Sequence, residues 1–164
     1  MSIAIVDLTT NTSTPVMTVG MVWKDYKSDK TYMYVQAASD TTVADGTVLN
    51  LLQNAAGKYV KCSSDYSDCL PGSQAAVGIG AITADYYGWV QIGGYHDAII
   101  TNADDDIAAG NLLITGTDGV CDSNDGSATD STDLVTKSNE FAVATTADVD
   151  AADTVAGYID CRIA

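Results

Sequence analysis

Basic side chains are scarce in this chain of 164 residues: seven Lys and Arg stand against 22 Asp and Glu, with a single His. A formal net charge of −15 repels the phosphates of nucleic acids and the headgroups of anionic lipids. Long apolar runs are absent too, because no stretch approaches the ~20 residues that a membrane-spanning helix requires. We therefore expect neither a nucleic acid nor a membrane as a partner.

The motifs of common enzyme classes are also missing. The sequence contains no Gly-x-Ser-x-Gly nucleophile turn, no Gly-Lys-Ser/Thr phosphate loop and no His-Glu-x-x-His zinc motif. Gly78 and Gly80 lack the third glycine of a dinucleotide site. His96 beside Asp97 is the only candidate for His-based catalysis, and the pair is typical of polar residues at a strand end. We predict no catalytic residue, no cofactor and no enzymatic activity.

Cysteines and acidic clusters give little indication of a metal site. The first residues lack the basic and long apolar segments of a secretory signal, so we expect reduced, buried thiols. Four cysteines allow three pairings, and their spacing disfavours zinc. Oxygen-rich segments at residues 102–106 and 118–125 leave weak calcium or magnesium binding as an alternative, although we predict no metal ligand. The cysteines are Cys62, Cys69, Cys121 and Cys161.

The composition predicts strands and turns rather than helices. Glu140 is the single Glu among 21 Asp, and Asp and Gly favour turns. No window predicts a helix of ten or more residues, whereas short β-rich runs recur at roughly regular spacing. We predict an all-β domain, either a compact barrel, tulip-like in shape, or a jelly-roll-like fold. Strands are predicted at residues 32–37, 48–52, 59–62, 75–82, 88–92, 95–101, 112–115, 119–121, 141–145 and 155–163.

Charge divides the chain near residue 61. Residues 1–61 contain five Lys and five Asp, whereas residues 62–164 contain 17 acids against Lys137 and Arg162. The neutral part is where an acidic partner could dock. Residues 1–22 join a short apolar stretch to a polar run, which indicates an extended arm that orders on another surface, or alternatively an edge strand. We therefore predict an extended N-terminal arm at residues 1–30 and a β-rich domain at residues 31–164.

Several short motifs resemble one family, the head decoration (cement) proteins of tailed bacteriophages, and among them the lambda type. They are residues 32–37 (YMYVQA), 44–48 (ADGTV), 75–82 (AAVGIGAI), 87–94 (YGWVQIGG), 108–113 (AAGNLL) and 155–159 (VAGYI). The resemblance implies a structural virion protein, often a homotrimer, that sits on the outer capsid surface and clamps neighbouring major capsid subunits. The segments at residues 62–72 and 116–132 have no obvious counterpart in that family.

Two sets of contact residues follow from this interpretation. Trp23 and Tyr26 mix aromatic with basic groups beside the arm, which favours a capsid contact there. The full predicted capsid-contact set is Ile3, Ile5, Val6, Leu8, Trp23, Lys24, Tyr26, Lys27 and Lys30. The predicted subunit interface is Tyr86, Tyr87, Trp89 and Tyr95, and ordinary core residues are its alternative. A different class of function, a carbohydrate- or host-surface-binding head or fibre module, would instead use exposed aromatics at residues 85–87 and 94–97 for sugar stacking.

Overall fold

The structure, a computed structural model, describes residues 6–68, 73–102, 107–116, 118–124, 140–148 and 154–160. Within these residues the chain forms ten strands and no α-helix, with one 3-10 turn at Tyr66–Asp68. No helix in this part of the chain is long and apolar enough to cross a membrane. The strands are β1 Val22–Asp25, β2 Lys30–Ala37, β3 Val48–Gln53, β4 Tyr59–Ser63, β5 Gln74–Gly78, β6 Tyr87–Ile100, β7 Leu112–Thr115, β8 Cys121–Asn124, β9 Glu140–Ala144 and β10 Thr154–Asp160.

Five of the described strands close a barrel. Their order is β2-β4-β3-β5-β6, and β6 returns to pair with β2, which completes the ring. The closing ladder between β2 and β6 is antiparallel and includes the pair Tyr34↔Trp89. The seam between β2 and β4 is parallel and short, with the pairs Gln36↔Lys61 and Ala37↔Cys62. The all-β, barrel-like prediction is therefore confirmed.

The long strand β6 also belongs to a second sheet. Its first half pairs within the barrel, and its second half pairs with β10, from which the sheet continues through β9 and β7 to β8. The prediction that Gly93-Gly94 ends one strand before another begins is wrong. Gly94 has φ +90, and a Cβ there would lie 2.5 Å from the Asp29 carbonyl oxygen. The two glycines let the β1–β2 hairpin approach closely while the ladder to β10 continues.

Strand alternation separates two apolar clusters. On β3, Leu49 and Leu51 point into the barrel with Met33, Val35 and other strand residues. Val48, on the opposite face of β3, packs with Ile99 and with the inner face of the second sheet. Because successive side chains of a strand point to opposite faces, β3 and β5 serve both clusters at once. The barrel and the second sheet are thus joined by continuous apolar packing.

A third cluster lies on the outside of the barrel, against β2 and β6. Tyr32, Tyr34 and Trp89 form its buried part, and the N-terminal segment at residues 6–21 contributes Val6, Leu8, Met17, Val19 and Met21. The Tyr34 and Trp89 rings are 5.3 Å apart, which suits a tilted aromatic pair. Backbone hydrogen bonds between Thr12 and Tyr87, 3.2 and 2.9 Å long, fix the segment on the domain.

Candidate functional site

The β1–β2 hairpin brings together five of the residues predicted to contact a capsid. Trp23 and Lys24 lie on β1, Tyr26 and Lys27 lie in the turn, and Lys30 begins β2. The turn forms because the Asp25 carboxylate accepts hydrogen bonds from the Lys27 amide, at 3.0 Å, and the Ser28 hydroxyl, at 2.6 Å. These bonds, the Ser28 hydroxyl first, also lower the pKa of Asp25. The sequence itself therefore specifies a tight, exposed hairpin tip.

An ion pair within this hairpin is hydrogen-bonded to the second sheet. Lys24 Nζ lies 2.9 Å from Asp29 Oδ1, and the Tyr158 hydroxyl of β10 donates to Asp29 Oδ2 at 3.2 Å. The Lys24 ammonium lowers the pKa of Asp29, and Asp29 in turn raises the pKa of Lys24. Lys24 Nζ also lies 5.8 Å from the centre of the Tyr26 ring. Tyr26 is the most exposed of the large apolar side chains described, with 87% of its surface accessible.

Trp23 has a structural role as well as a position near the surface. Its ring stacks on Tyr32 at a centroid distance of 5.7 Å, and it is half-buried. Successive residues of β1 alternate between exposed and half-buried, as expected for an edge strand that covers a core on one face only. Tyr26, Lys27 and the neighbouring turn are therefore the part of the hairpin that offers free surface to a partner.

The N-terminal residues predicted to contact a capsid are placed differently. Val6 and Leu8 are half-buried against the outer aromatic cluster, whereas Ile3 and Ile5 lie outside the described residues. The side chain of Asn11 is bonded to Thr83 in both directions, with N···O distances of 3.2 and 3.4 Å. The described segment thus already lies on its own domain. Its removal would uncover the aromatic cluster, so point substitutions in the hairpin test docking more cleanly than truncation.

The four residues predicted for a subunit interface separate into two groups. Trp89 is 1% exposed and packs between Tyr34 and the N-terminal segment, so its assignment to an interface is corrected: it is a core residue. Tyr87 is half-buried and stacks near Tyr34, with ring centroids 6.4 Å apart. Tyr86 and Tyr95 are 36% and 44% exposed. For these two residues an interface role stays a prediction.

A row of exposed apolar side chains, which the sequence analysis did not identify, crosses the second sheet. Tyr95 of β6 is paired with Tyr158 of β10, Tyr158 with Val143 of β9, and Val143 with Leu112 of β7. Directly paired residues project from the same face of a sheet, so the four side chains stand side by side. We call these four residues the outer row. Each is between 38% and 46% exposed.

Titratable groups in the described residues do not form a catalytic arrangement. His96 is buried, with Nε2 3.2 Å from the Gly78 carbonyl oxygen and Nδ1 accepting the Ala98 amide at 3.2 Å. Burial lowers its pKa, and Asp45 opposes this shift. Burial raises the pKa of Cys62 to about 12, which makes its thiol unreactive. No group of three or more His, Cys, Asp or Glu within the described ranges is arranged to hold a metal ion.

Comparison with solved structures shows that this fold also occurs in a bacteriophage protein. The chain is similar to the head fiber gp8.5 N base of bacteriophage phi29, with a TM-score of 0.52 and 17% sequence identity. The similarity covers 88% of this chain and 99% of that chain. No protein-family model and no curated protein matches the sequence. At this identity the two chains share a fold, and the shared fold is an all-β, barrel-like domain.

Proposed function

We propose that this chain is a structural protein of a bacteriophage head that binds the outer surface of the assembled capsid. In this proposal it stabilises the shell by clamping neighbouring major capsid subunits, it acts as a homotrimer, and it catalyses no reaction. The mechanism is mass action, because a ligand that binds the assembled shell and not its dissociated subunits stabilises the shell in proportion to occupancy.

The observation that carries the proposal is the fold shared with the base of a phage head fibre over nearly the whole of both chains. Two features of the molecule support it. The β1–β2 hairpin presents Tyr26 and Lys27 on an exposed tip, and the part of the chain that contains this tip is neutral. The remainder is strongly acidic, which keeps free copies soluble and orients docking by the hairpin end.

Cosedimentation with expanded phage capsids that lack the protein tests the proposal. We expect saturable binding and a higher temperature of shell disruption. Tyr26→Ala should weaken binding by about tenfold or more, because an exposed aromatic at a contact centre is a typical binding hot spot. Val16→Ala, which truncates an apolar side chain that is 59% exposed and belongs to neither predicted contact set, is the control and should bind like the wild type.

Salt dependence gives a second, independent measurement. Lys27→Glu should weaken docking more at low than at high ionic strength, because exposed charges are screened within about 10 Å at 0.1 M salt. Absence of any saturable binding by the folded wild-type protein would exclude the capsid role. Equal losses in Tyr26→Ala and Val16→Ala would instead show that docking does not use the hairpin.

A second candidate function is a head or fibre module that binds carbohydrate or a host surface. The observation in its favour is the adjacent pair Tyr95 and Tyr158, each nearly half exposed, beside carboxylates of β6 and β10. Aromatic rings next to Asp suit stacking and hydrogen bonding to sugars. A glycan array with the folded protein decides between the two functions: specific binding that Tyr95→Ala abolishes supports this module, and an empty array excludes it.

A further inference from the structure

The second sheet repeats the strand order of the barrel. The first barrel places its five strands, β2 to β6 in chain order, around the ring as first, third, second, fourth and fifth. The second half of β6 and the strands β7 to β10 follow the same order, and the parallel bridge Thr101↔Cys121 brings β8 back to the end of β6. The corresponding seam of the first barrel is also parallel and also uses a cysteine, in the pair Ala37↔Cys62. The second sheet is therefore a second barrel with the topology of the first.

One turn is repeated bond for bond in the two barrels. The Gly46 amide donates to the Gly78 carbonyl at 2.9 Å, and the Gly110 amide donates to the Ala144 carbonyl at 2.8 Å. The amides of Gly78 and Ala144 donate in return to the residue that follows each glycine, at 2.8 and 2.9 Å. Both glycines have a positive φ, +79 and +95. Matching bonds of this kind establish which residues of the two barrels are equivalent.

The outer row has a counterpart in the first barrel. Tyr32 of β2 is paired with Gln91 of β6. Gln91 is also paired with Val77 of β5, and Val77 with Val48 of β3. These four residues, which we call the covered row, cross the first, fifth, fourth and second strands of their barrel, as the outer row does in the second barrel. Members of the covered row are at most 6% exposed, whereas those of the outer row are 38% to 46% exposed.

The covered row is buried because the chain packs its second barrel on it. Val48 and Val77 belong to the apolar cluster that they share with residues of the second barrel. The Gly119 carbonyl, in the turn between β7 and β8, accepts the Val48 amide at 2.8 Å. At the other end of the row the Trp23 ring stacks on Tyr32. This face of the first barrel is therefore an interface between two barrels.

The outer row is the same face of a barrel without such a cover in the described part of the chain. It is at least as apolar as its counterpart, because it has a second tyrosine where the covered row has Gln91. It leaves roughly 300 Å² of apolar surface in water. A standard protein interface buries about 800 Å² on each partner around an apolar centre. The row therefore suits the centre of a contact with another barrel.

The first barrel carries a free counterpart of the turn that covers Val48. The β3–β4 turn at residues 54–58 and the β7–β8 turn at residues 116–120 are each closed by a bond from the first amide to the last carbonyl, at 2.9 and 3.0 Å. The fourth residue of each turn is a glycine with positive φ, Gly57 or Gly119. A Cβ on Gly119 would lie 3.1 Å from the first barrel, whereas no described atom lies within 4 Å of a Cβ on Gly57. The β3–β4 turn is thus open to a partner.

We propose that the outer row binds the first barrel of a second copy of this chain, with the β3–β4 turn of that copy at the Leu112 end of the row. The contact repeats between copies the one that the two barrels make within each chain. It is heterologous, so its repetition around an axis closes a ring in which first and second barrels alternate. This inference rests on the homotrimer included in the proposed function and names its interface. Its test uses no capsids, so its failure leaves shell binding to be judged by cosedimentation alone.

Molar mass in solution, measured by size exclusion with light scattering, gives the first result. We expect the wild-type protein at a multiple of the 17.0 kDa chain mass. Val143→Glu places a carboxylate at the centre of the row and should weaken self-association roughly a hundredfold or more, with an unchanged circular dichroism spectrum. Val16→Glu makes the same change at a valine that is 59% exposed outside the row, and it should keep the wild-type mass.

Photo-crosslinking identifies the partner surface. Leu112, the equivalent of Val48, is replaced by p-benzoylphenylalanine, and cross-linked peptides are mapped by mass spectrometry. We expect a product of twice the chain mass in which position 112 is joined to the β3–β4 hairpin, residues 48–63, of the second copy. A monomeric wild-type protein, an unchanged mass for Val143→Glu, or a cross-link to any part of the second copy outside this hairpin would overturn the inference.

Discussion

Substitution of Gly46 by Ala tests the tight packing of one turn between the barrel and the second sheet. Gly46 has φ +79, and a Cβ there would overlap the Ala98 carbonyl oxygen, well inside the 3.0 Å that real Cβ contacts keep. The Gly46 amide donates to Gly78 O at 2.9 Å, and Gly46 O accepts the Ile100 amide at 3.0 Å. The backbone cannot make room for a methyl group there without lengthening these bonds.

The expected loss of stability combines two effects. A positive φ costs a non-glycine residue about 1 kcal/mol. Loss of the two hydrogen bonds adds about 1 kcal/mol for each, so Gly46→Ala should lower the free energy of unfolding by about 3 kcal/mol. Gly57 has φ +74 with no atom within 4 Å of a new Cβ, so Gly57→Ala should cost only the first ~1 kcal/mol. The difference between the two variants isolates the steric effect.

Urea unfolding followed by tryptophan fluorescence measures both variants, with thermal unfolding as a check. At this chain length 1 kcal/mol shifts Tm by about 2–4 °C, so Gly46→Ala should lower Tm by about 10 °C and Gly57→Ala by about 3 °C. Equal losses in the two variants would refute the packing of Gly46 against Ala98. A larger loss in Gly57→Ala would refute it more strongly.

Three further predictions follow from buried side chains. Burial lowers the pKa of His96 in the folded state, so the unfolded chain binds a proton at this residue more readily than the folded chain. The contribution of His96 to stability should therefore be constant above about pH 6.5 and fall below that pH. Urea unfolding at a series of pH values should show this fall between about pH 6.5 and 5, and His96→Gln should remove it. The buried Cys62 thiol should react with iodoacetamide only after urea unfolds the chain; a carbamidomethyl group mapped to Cys62 in the native protein by peptide mass spectrometry would contradict its burial. Trp89→Ala should lower the free energy of unfolding by about 4 kcal/mol, whereas Tyr26→Ala, at a side chain that is 87% exposed, should lower it by less than about 0.5 kcal/mol; similar losses would contradict the burial of Trp89.

Strands with clear alternation could be predicted from the sequence. The prediction for β7 has the same bounds as the structure, and those for β2 and β3 differ by one or two residues. The turn before β3 follows from local sequence too, because Gly46 in the motif at residues 44–48 supplies the positive φ that the turn requires. These features depend on neighbouring residues alone.

Features that depend on distant residues were missed. β1 was included in the arm predicted at residues 1–30, yet an edge strand needs apolar groups on one face only, and Trp23 supplies them. Gly93 and Gly94 were taken as a strand end because nothing in their own neighbourhood shows that the β1–β2 hairpin lies against them. Trp89 was placed at an interface because the sequence does not show that residues 6–21 cover it.

The outer row could not be predicted for a further reason. Each of its strands contributes one member, and only the register of β6, β10, β9 and β7 aligns Tyr95, Tyr158, Val143 and Leu112. Register is a property of paired strands and is absent from any single segment. The β1–β2 hairpin, by contrast, is local in sequence, so its contact residues could be grouped before the fold was known.

The ladder between β2 and β6 has a consequence for the order of events during synthesis. It pairs Tyr34 with Trp89, 89 − 34 = 55 residues apart along the chain. Contacts of such large separation form late, because the intervening loop must first be closed. On the ribosome, β2, β3 and β4 emerge before the strand that completes their ring, with the apolar faces of β2 and β3 still open. A chaperone that holds extended apolar strands would therefore meet this protein before β6 leaves the exit tunnel.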